Sequence, residues 1–569
     1  MEKFLSEHGG SSPQRLAPSR PTDSSMTPPP PPAGSARNLP RIVGAMMRPQ
    51  IYPDHPPGVE LRQTHVSFVF LAGEYVYKMK KPVRFAFLDA ATLARRHQLC
   101  LDEVRLNRRL ASNIYLGVVP ILCRGVGELA LGEASGGAAE AGAVAEWAVR
   151  MRRLDEATML DRMVVRGAVS VAQIRAIAAR LAAFHGAAAA DKGWEYGSAA
   201  SVWRLVRGNL GELALDGAAA IAPAELEEFE RFIRCVVEPR WSLLNRRALG
   251  GRVCEGHGDL RCEHVSLAGD TITIIDCVEF SEGLRYVDVA SDVGFLAMDL
   301  DRLGARGLSD ELVGAYRQAA DDAELPLLIP LYKFHRALVR AKVESLTSHD
   351  ATTAPGQRAA AATAARRYVE LALDFARASR PAMVVVCGLS GSGKSTVARR
   401  LADRLGFEWL RSDEIRKRLA GVAPAERLSD RYAAGAYSRE FTQKTYAALL
   451  CEAAARLHDG AGVIVDATFA APAYRAAALA LAARAGRPPL FVECVASHDE
   501  IVRRLTQRAC RAEEISDAGV ATYLRQRVEF VALKEIPQFC HLVVDTERGL
   551  EAVSAAIIER LKNLGRVGG

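Results

Sequence analysis

One glycine-rich octapeptide in the second half of the chain has the composition and spacing of a phosphate-binding loop. The segment GLSGSGKS, residues 388–395, matches the pattern G-x-x-x-x-G-K-[ST]. Glycines allow backbone N–H groups to turn toward phosphate oxygens where a Cβ would collide. Lys394 is expected to reach the β- and γ-phosphates of ATP, and the Ser395 hydroxyl to ligate Mg²⁺. The residues predicted to bind the nucleotide are Gly388, Ser390, Gly391, Ser392, Gly393, Lys394, Ser395 and Thr396.

Charged residues farther along this half have the chemistry that phosphoryl transfer needs. Asp413 lies in the segment WLRSDEIR, residues 409–416, near the expected carboxyl edge of the predicted sheet, and its carboxylate is predicted to take a proton from an acceptor hydroxyl. Arg416 is predicted to hold an anionic substrate or the transferring phosphate. Asp466 ends the apolar run Val463–Val465 and is predicted to orient Mg²⁺ or its waters. The alternative for Asp413 is a helix N-cap, a position that aspartate also favours.

A basic stretch with helical spacing follows the apolar run at residues 490–495. Arg508 and Arg511 are predicted to be catalytic, as part of a lid that closes over the phosphates and neutralises developing charge. Arg503 and Arg504 belong to the same stretch. The alternative is that these arginines form a solvated helix face.

The elements that must position these residues alternate along the chain after Pro381. Short apolar runs are separated by helical segments, and the first run, Met383–Cys387, ends directly at the glycine-rich loop. Strands that alternate with helices predict a doubly wound parallel sheet, an α/β fold whose ligands bind at the carboxyl ends of the strands. The other predicted strands are Val463–Val465, Leu490–Val495 and Leu542–Val544.

Residues 382–561 resemble the P-loop small-molecule and polynucleotide kinases, the group around zeta toxins, gluconate kinase and polynucleotide kinase. The resemblance rests on the octapeptide and on Asp413 followed by Arg416. It implies a P-loop kinase-like NTP-binding domain that uses ATP and Mg²⁺, with Asp413 as the base.

A second group of residues in the first half also has the pattern of a phosphoryl-transfer site. The sequence HGDLRCEH, residues 257–264, is followed by two isoleucines and Asp276. Phosphoryl transfer needs one carboxylate near the acceptor hydroxyl and another on Mg²⁺. Asp259 is predicted to fill the first role and Asp276 the second, while His257 braces the loop. The alternative is two unrelated turns that each carry an aspartate.

A β-rich segment upstream supplies a lysine and a glutamate for the same chemistry. Lys78 lies at the end of a predicted strand and is expected to grip the α- and β-phosphates. Glu103 lies in a helical stretch and is predicted to pair with Lys78. Lys80, two residues farther along the strand, is the rival candidate.

Residues 58–376 resemble the aminoglycoside phosphotransferase family on the basis of these motifs. The resemblance implies an N-terminal bilobal protein-kinase-like fold, of α+β type, and the whole layout resembles bacterial proteins that fuse such a domain to a P-loop domain. The family has an asparagine metal ligand where this chain has His264. Imidazole is a poor ligand for Mg²⁺. His264 is therefore predicted as an altered metal ligand, with Glu263 as the alternative donor.

Composition limits the remaining possibilities for this 569-residue chain. Hydrophobic residues are 49% and charged residues 25%, which excludes a chain disordered throughout. The net charge of +7 is too small to favour a dedicated nucleic-acid partner. Eleven scattered cysteines without a C-x-x-C pair favour reduced thiols and a cytoplasmic location. The sequence has no stretch of about 18 uncharged apolar residues, so no membrane partner is expected. Residues 1–49 are predicted to be a disordered, proline-rich tail.

Three functions are compatible with these motifs. The first is an ATP-dependent kinase with two phosphotransferase domains, each of which moves the γ-phosphate to a hydroxyl of a small molecule. The second is a P-loop ATPase or kinase whose N-terminal domain only binds a ligand, which the His264 departure favours. The third is a nucleic-acid end kinase, which the polynucleotide-kinase resemblance favours and the small net charge does not.

Overall fold

The computed structural model describes ten segments of the chain, which form two compact units. The first unit runs to Asp155 and includes Ile275–Ser281, and the second comprises Glu156–Ile274 and the residues from Glu282 onward. Among the helices of these segments, none combines the length and apolar composition needed to cross a membrane. The described residues are 39–85, 88–124, 128–132, 144–215, 221–351, 353–379, 382–422, 438–458, 461–509 and 519–567.

The first unit is built on an antiparallel sheet of six strands in the order β1-β2-β3-β8-β6-β7. The predicted hairpin joins β2 to β3 through Gly73, whose φ of 62° is accessible to glycine at little cost. The strands are β1 (Val59–Gln63), β2 (Ser67–Ala72), β3 (Tyr75–Lys80), β4 (Arg84–Phe85), β5 (Leu88–Asp89), β6 (Tyr115–Cys123), β7 (Leu129–Leu131) and β8 (Val144–Arg152), of which β4 and β5 form a separate pair.

Two helices cover apolar surface of this sheet. Helix α1 (Leu39–Met46) buries Ile42 and Met46 against Phe70 and Met79. Its residues belong to the predicted disordered tail, so this part of that prediction is wrong. The apolar face of the helix packs on the sheet, which stabilises it despite the proline-rich sequence around it. Residues 1–38 lie outside the described segments. Helix α2 (Leu93–Ala111) begins at the N-cap Thr92 and belongs to a second apolar cluster.

The first part of the second unit is mainly helical. Two short antiparallel strand pairs interrupt the helices. The HGD segment, residues 257–259, lies between the first and the second of these four strands in sequence. The helices are α3 (Leu160–Val165), α4 (Val171–Gly186), α5 (Gly193–Gly197), α6 (Ala199–Leu215), α7 (Pro223–Phe232), α8 (Trp241–Leu249), α9 (Glu282–Arg285), α10 (Val289–Arg302), α11 (Arg306–Ala319), α12 (Leu325–His349) and α13 (Pro355–Ala378). The strands are β9 (Val253–Glu255), β10 (Val265–Ala268), β11 (Thr271–Ile274) and β12 (Tyr286–Asp288).

The rest of the second unit has the predicted parallel sheet, in the order β14-β15-β13-β16-β17. Its central strand β13 is buried along its whole length, as expected for a sheet covered by helices on both faces. The strands are β13 (Met383–Cys387), β14 (Glu408–Arg411), β15 (Val463–Asp466), β16 (Leu490–Val495) and β17 (His541–Asp545). The helices are α14 (Lys394–Leu405), α15 (Ser412–Leu419), α16 (Arg439–His458), α17 (Pro472–Arg484), α18 (His498–Ala509), α19 (Val520–Glu529) and α20 (Leu550–Val567).

Candidate functional site

The glycine-rich loop lies between the end of β13 and the start of α14, as its motif predicts. Gly388 has a φ of 126°, and a Cβ built there would lie 2.4 Å from the Cys494 carbonyl oxygen. Gly391 has a φ of 83°, and a Cβ there would lie 2.9 Å from side-chain atoms of Ile501 and Leu505. Both positions therefore exclude a side chain. The loop has the strained, closely packed backbone that a phosphate cradle requires.

Two polar groups of the loop, a serine hydroxyl and a lysine ammonium, have few protein partners among the described residues. The Ser392 hydroxyl is buried and has no hydrogen-bond partner within the described residues. The Lys394 ammonium donates to the carbonyl of Leu389, 2.7 Å away, within its own loop. A buried donor without a partner costs free energy, and an anion in the cradle would satisfy it. These observations fit a bound phosphate chain.

Asp466 lies at the carboxyl end of β15 and is buried. Burial raises the pKa of Asp466, and the charge of Lys394 and the hydrogen bond donated by the Ser395 hydroxyl offset only part of this effect. Asp413 raises the same pKa further, which places its carboxylate within electrostatic range. A serine hydroxyl beside an aspartate provides the oxygen ligands that Mg²⁺ prefers. The donor set therefore fits the predicted metal, which Ser395 and Asp466 would hold.

Replacement of Asp466 by asparagine should stabilise the nucleotide-free protein and abolish its response to nucleotide. Because the pKa of Asp466 is raised in the folded protein, its ionised carboxylate lowers the free energy of unfolding at pH values above the folded-state pKa. This loss is absent below the unfolded-state pKa, where the side chain is protonated in both states. At pH 7.5 Asp466→Asn should raise the thermal midpoint without nucleotide, and Mg²⁺ with ATP should no longer raise it further. Thermal unfolding measures both. Asp403→Asn, an exposed control on α14, should change neither, and full stabilisation of Asp466→Asn by Mg²⁺ with ATP would contradict the assignment.

The candidate base lies at the start of α15, directly after β14. Asp413 is the second residue of this helix, whose N-cap is Arg411 without a side-chain capping bond, so the alternative of an Asp413 N-cap is wrong. Arg416 is 7% exposed and donates to the Thr442 hydroxyl at 3.4 Å. Arg411 lies over the Trp409 ring with its guanidinium carbon 4.7 Å from the centroid. Asp413 is thus accompanied by two arginines near the end of the strand, a setting suited to an acceptor with negative charge.

A cavity of about 240 Å³ adjoins the other side of the loop, where the start of α14 faces β17 and α18. Arg504 of α18 donates to the Thr546 hydroxyl at 2.9 Å, and that hydroxyl donates to the carbonyl of Ser392. The interpretation of Arg504 as a solvated residue is therefore wrong, whereas Arg503 is exposed and pairs with Glu500. The cavity is lined by Gly393, Thr396, Val397, Arg504, Thr546, Leu550 and Val553.

The lid arginines predicted to be catalytic stay predictions. Arg511 lies outside the described residues, and of Arg508 the structure describes only the backbone, near the end of α18.

In the first unit, two lysines and three carboxylates form one charge cluster. Glu103 is fully buried and pairs with Lys78 at 2.9 Å and with Lys80 at 2.6 Å, so both candidate lysines bind the same carboxylate. Lys78 also donates to Asp276 at 2.6 Å, and Lys80 to Glu279. Burial alone would lower the pKa of Lys78, but the carboxylates, above all Asp276, outweigh it and raise this pKa well above its usual value.

Asp276 is the solvent-accessible member of this cluster, with its side chain 42% exposed. Its φ of 65° is unusual for a residue other than glycine, and its backbone N–H donates to the Tyr115 hydroxyl at 3.1 Å. Strained backbone of this kind is concentrated at functional sites. The predicted role of Asp276 in holding a metal stays a prediction. The described residues contain no group of three or more His, Cys, Asp or Glu side chains arranged to bind a metal ion.

The HGD segment of the second unit holds Asp259 in an ion pair. Arg261 donates to the Asp259 carboxylate at 3.2 Å and also pairs with Glu263. Burial would raise the pKa of Asp259, but Arg261 and His264 outweigh it and lower the pKa to about 2. Asp259 is therefore ionised at neutral pH, and its predicted catalytic role stays a prediction.

His264 has a hydrogen-bonding role in the same loop. Its Nδ1 lies 2.7 Å from the Asp259 carbonyl and its Nε2 lies 3.2 Å from an Arg261 nitrogen. In this arrangement Nδ1 donates, so Nε2 carries the lone pair and faces a cation. The predicted metal-ligand roles of His264 and Glu263 compete with these interactions.

Two residues that support this loop were missed by the sequence analysis. Asp292 of α10 is fully buried and accepts from the backbone N–H groups of His257 at 2.6 Å and Gly258 at 2.9 Å. Arg336 of α12 is 4% exposed and donates to the Gly258 carbonyl at 2.9 Å. The signal for Asp292 was an aspartate inside the apolar helical run from Val289 to Leu300.

A known family model matches part of the second half of the chain. Residues 383–533 match the family model described as "AAA domain", which covers the glycine-rich loop and the strands around it. In this part of the chain the structure has a five-stranded parallel sheet whose central strand leads directly into the glycine-rich loop.

Two solved structures also align with the chain at low overall similarity. A gluconokinase from Sinorhizobium meliloti 1021 is 20% identical, with 33% of this chain and 94% of that chain covered and a TM-score of 0.24. A choline/ethanolamine kinase family protein from Mesorhizobium loti is 13% identical, with 59% of this chain and 99% of that chain covered and a TM-score of 0.33.

One curated relative aligns with most of the chain and includes both halves. The protein printed as "Uncharacterized protein Rv2004c", from Mycobacterium tuberculosis strain H37Rv, is 32% identical over 457 residues, which are 80% of this chain and 87% of the relative. The chain belongs to the same protein family as this mycobacterial relative.

Proposed function

We propose that the P-loop domain is an ATP-dependent kinase that transfers the γ-phosphate to a hydroxyl of a small, negatively charged acceptor. The observation that carries this proposal is the group at the carboxyl ends of β13, β14 and β15. The Ser395 hydroxyl donates to Asp466 there, and Lys394 and Asp413 are both within electrostatic range of that carboxylate. A simple nucleotide-binding switch has no need of a second carboxylate flanked by arginines at this edge. The match to the AAA-domain model supports nucleotide binding in this part of the chain.

Each residue has a definite role in this reaction. The backbone N–H groups of the loop and the Lys394 ammonium hold the phosphate chain, and the 240 Å³ cavity beside Arg504 accepts the nucleoside. Ser395 and Asp466 would hold Mg²⁺, which when bound would neutralise charge on the transferring phosphoryl group. Asp413 accepts the hydroxyl proton of the acceptor, and Arg416 with Arg411 binds its negative charge.

We propose further that the N-terminal half contains a second, kinase-like site. Lys78 with Glu103 is the lysine–glutamate pair that phosphate binding needs, and Asp276 is an exposed carboxylate beside it. The alternative is that this half binds a ligand without catalysis. The low pKa of Asp259 and the engaged ring of His264 favour that alternative.

The test of the P-loop proposal is the variant Asp413→Asn, which keeps the shape of the side chain and removes the proton acceptor. We expect the acceptor-dependent rate to fall by about 10²–10⁴-fold, as for loss of a general base, while the Kd for ATP changes less than about threefold. The rate is measured with ATP and a panel of a sugar acid, an amino alcohol and a 5′-hydroxyl oligonucleotide. Asp403→Asn, which changes an exposed carboxylate of the same domain, is the control.

The same panel separates the alternatives. Loss of activity only in Asp259→Ala would move the reaction to the N-terminal half, and an unchanged Asp259→Ala with an inactive Asp413→Asn would leave that half as a binding module. Phosphorylation confined to the oligonucleotide would identify a nucleic-acid end kinase. Full activity of Asp413→Asn with every acceptor would refute the assigned base.

A further inference from the structure

Two buried side chains of the first unit bind the backbone of the segment that carries Asp276. The N–H of Asp276 donates to the Tyr115 hydroxyl at 3.1 Å, and the next N–H, that of Cys277, donates to the Asn107 side-chain oxygen at 2.9 Å. Tyr115 and Asn107 are each 1% exposed. The segment lies in no strand or helix, so these backbone donors obtain their partners from side chains.

The backbone conformation of Asp276 requires such support. Its φ of 65° lies in the left-handed region, which residues with a Cβ seldom occupy because the Cβ crowds the following carbonyl oxygen. A conformation of this kind persists where the surrounding structure imposes it. The hydrogen bonds to Tyr115 and Asn107 lie on either side of the Asp276 Cα in the chain. They therefore restrain both backbone angles of this residue.

The carboxamide of Asn107 is held in the orientation that its contact needs. Its NH₂ group donates to the carbonyl of Glu103, one turn earlier in α2, at 2.9 Å. The Cys277 N–H needs an acceptor and the Glu103 carbonyl needs a donor, so one orientation of the carboxamide satisfies both groups. The Glu103 side chain pairs with Lys78, which in turn donates to Asp276. A single turn of α2 therefore anchors both members of the Lys78–Asp276 pair.

Tyr115 is fixed by packing in the sheet. It is the first residue of β6, and it belongs to the buried cluster that also contains Val149 and Met151 of β8. Ile275, the residue before Asp276, packs against the same cluster. The hydroxyl that accepts from the Asp276 N–H is thus carried by a buried strand, and the segment reaches it with the preceding side chain already packed.

We propose that Tyr115 and Asn107 are positioning residues that hold the Asp276 carboxylate beside Lys78 and open to solvent, an inference that rests on the proposed kinase-like site of the N-terminal half. Each acts through the backbone of the Asp276 segment. The Asp276 side chain is 42% exposed, and its oxygens are of the type that Mg²⁺ prefers, so Asp276 would hold the metal from this position. Without the restraint, φ returns to the negative region, the Cβ changes direction, and the carboxylate leaves Lys78.

The effect of Mg²⁺ on the binding of a non-hydrolysable ATP analogue measures this positioning. The parent protein is the full chain with Lys394→Ala and Asp466→Asn, so that the P-loop site contributes no magnesium effect. Titration calorimetry gives the ratio of the dissociation constants without and with Mg²⁺. We expect Tyr115→Phe and Asn107→Leu each to lower this ratio about tenfold, the loss typical when an outer partner of a metal ligand is removed. Asp276→Asn, which changes the ligand itself, should lower the ratio at least as far.

Tyr52→Phe is the matched control for these variants. It also removes one buried tyrosine hydroxyl of the first unit, which donates to the Met46 carbonyl, and it should keep the ratio of the parent. Tyr115→Phe retains the buried ring, which protects the fold. A crystal structure of the double variant Tyr115→Phe with Asn107→Leu reports the restraint directly. A negative φ at Asp276 supports the proposal, and an unchanged left-handed φ refutes it.

The binding ratios distinguish failure of this inference from failure of the proposed function. If Asp276→Asn lowers the ratio while Tyr115→Phe and Asn107→Leu keep the parent value, the positioning roles are refuted and the second site stands. If Asp276→Asn keeps the parent value, the second site itself fails and the positioning roles fail with it. An equal fall in Tyr52→Phe would show a general loss of stability and refute the positioning roles. Lowered ratios in Tyr115→Phe and Asn107→Leu, with an unchanged Tyr52→Phe, support them.

Discussion

Lys394→Ala is expected to lower nucleotide turnover by the P-loop domain about 10²–10³-fold, the loss seen when one preorganised donor to a transition-state oxyanion is removed. The Lys394 ammonium is the cation of the motif, and among the described residues it donates to the Leu389 carbonyl of its own loop. The variant therefore removes charge from the phosphate site and breaks one partly buried hydrogen bond. Steady-state release of ADP measures the loss.

Two further variants make this result interpretable. Lys394→Met keeps the length and packing of the side chain, so an equal loss in this variant shows that charge is responsible. Arg399→Ala removes an exposed cation from the same helix and should retain wild-type turnover. Wild-type turnover in both Lys394 variants would show that the nucleotide is hydrolysed elsewhere in the chain.

Glu103→Ala is expected to destabilise the first unit by about 3–5 kcal/mol, the cost of breaking a buried ion pair by removing one partner. Lys80 is buried, Lys78 is partly buried, and Glu103 is the carboxylate that they share. Burial would raise the pKa of Glu103, but the two lysines outweigh it and lower this pKa, so Glu103 is ionised in the folded protein. Without Glu103, the two lysines keep Asp276 and Glu279 as partners, and the Asp276 side chain is 42% exposed.

Hydrogen exchange in the full chain, followed as a function of urea, measures the local stability of β3 and α2 in this variant. Asp102→Ala is a matched control on the same helix. Asp102 pairs with Arg105 at 3.5 Å and accepts from Gln98 at 3.2 Å, both near the surface, so its loss should cost less than about 1 kcal/mol. Removal of a cation as well, in Glu103→Ala with Lys80→Met, should recover part of the lost stability. Equal exchange in Glu103→Ala and Asp102→Ala would show that the cluster is not a stabilising core.

The fold of the second half could be predicted from local patterns because its signals are local. Four of the five strands of the parallel sheet are short apolar runs, and the glycine-rich loop follows the first of them directly. The fifth, β14, has charged residues at both ends and was recognised only through the Asp413 segment that follows it. Helix α1 was missed because the proline content of its surroundings outweighed its short apolar face.

The partners of the predicted residues could not be read from sequence, since they come from distant segments. Arg336 has the spacing of a solvated basic face with Arg340 and Lys342, yet the structure buries it against the Gly258 carbonyl. Lys78 and Lys80 were rivals for one role, whereas a period of two along β3 places both on the face where Glu103 lies. Asn107 belongs to no motif, and its contact with Cys277 depends on how α2 packs beside the Asp276 segment.

The sequence by itself determined the chemistry available to this protein: a loop that can hold phosphate, carboxylates that can serve proton transfer and metal binding, and the strands and helices that carry them. These follow from residue type and short-range spacing, which act within one or two turns of chain. The tertiary structure alone decided which charges neutralise one another and which donors remain for a ligand. Such pairings join residues up to 199 positions apart, as in Lys80 and Glu279, and their strength depends on burial that packing creates.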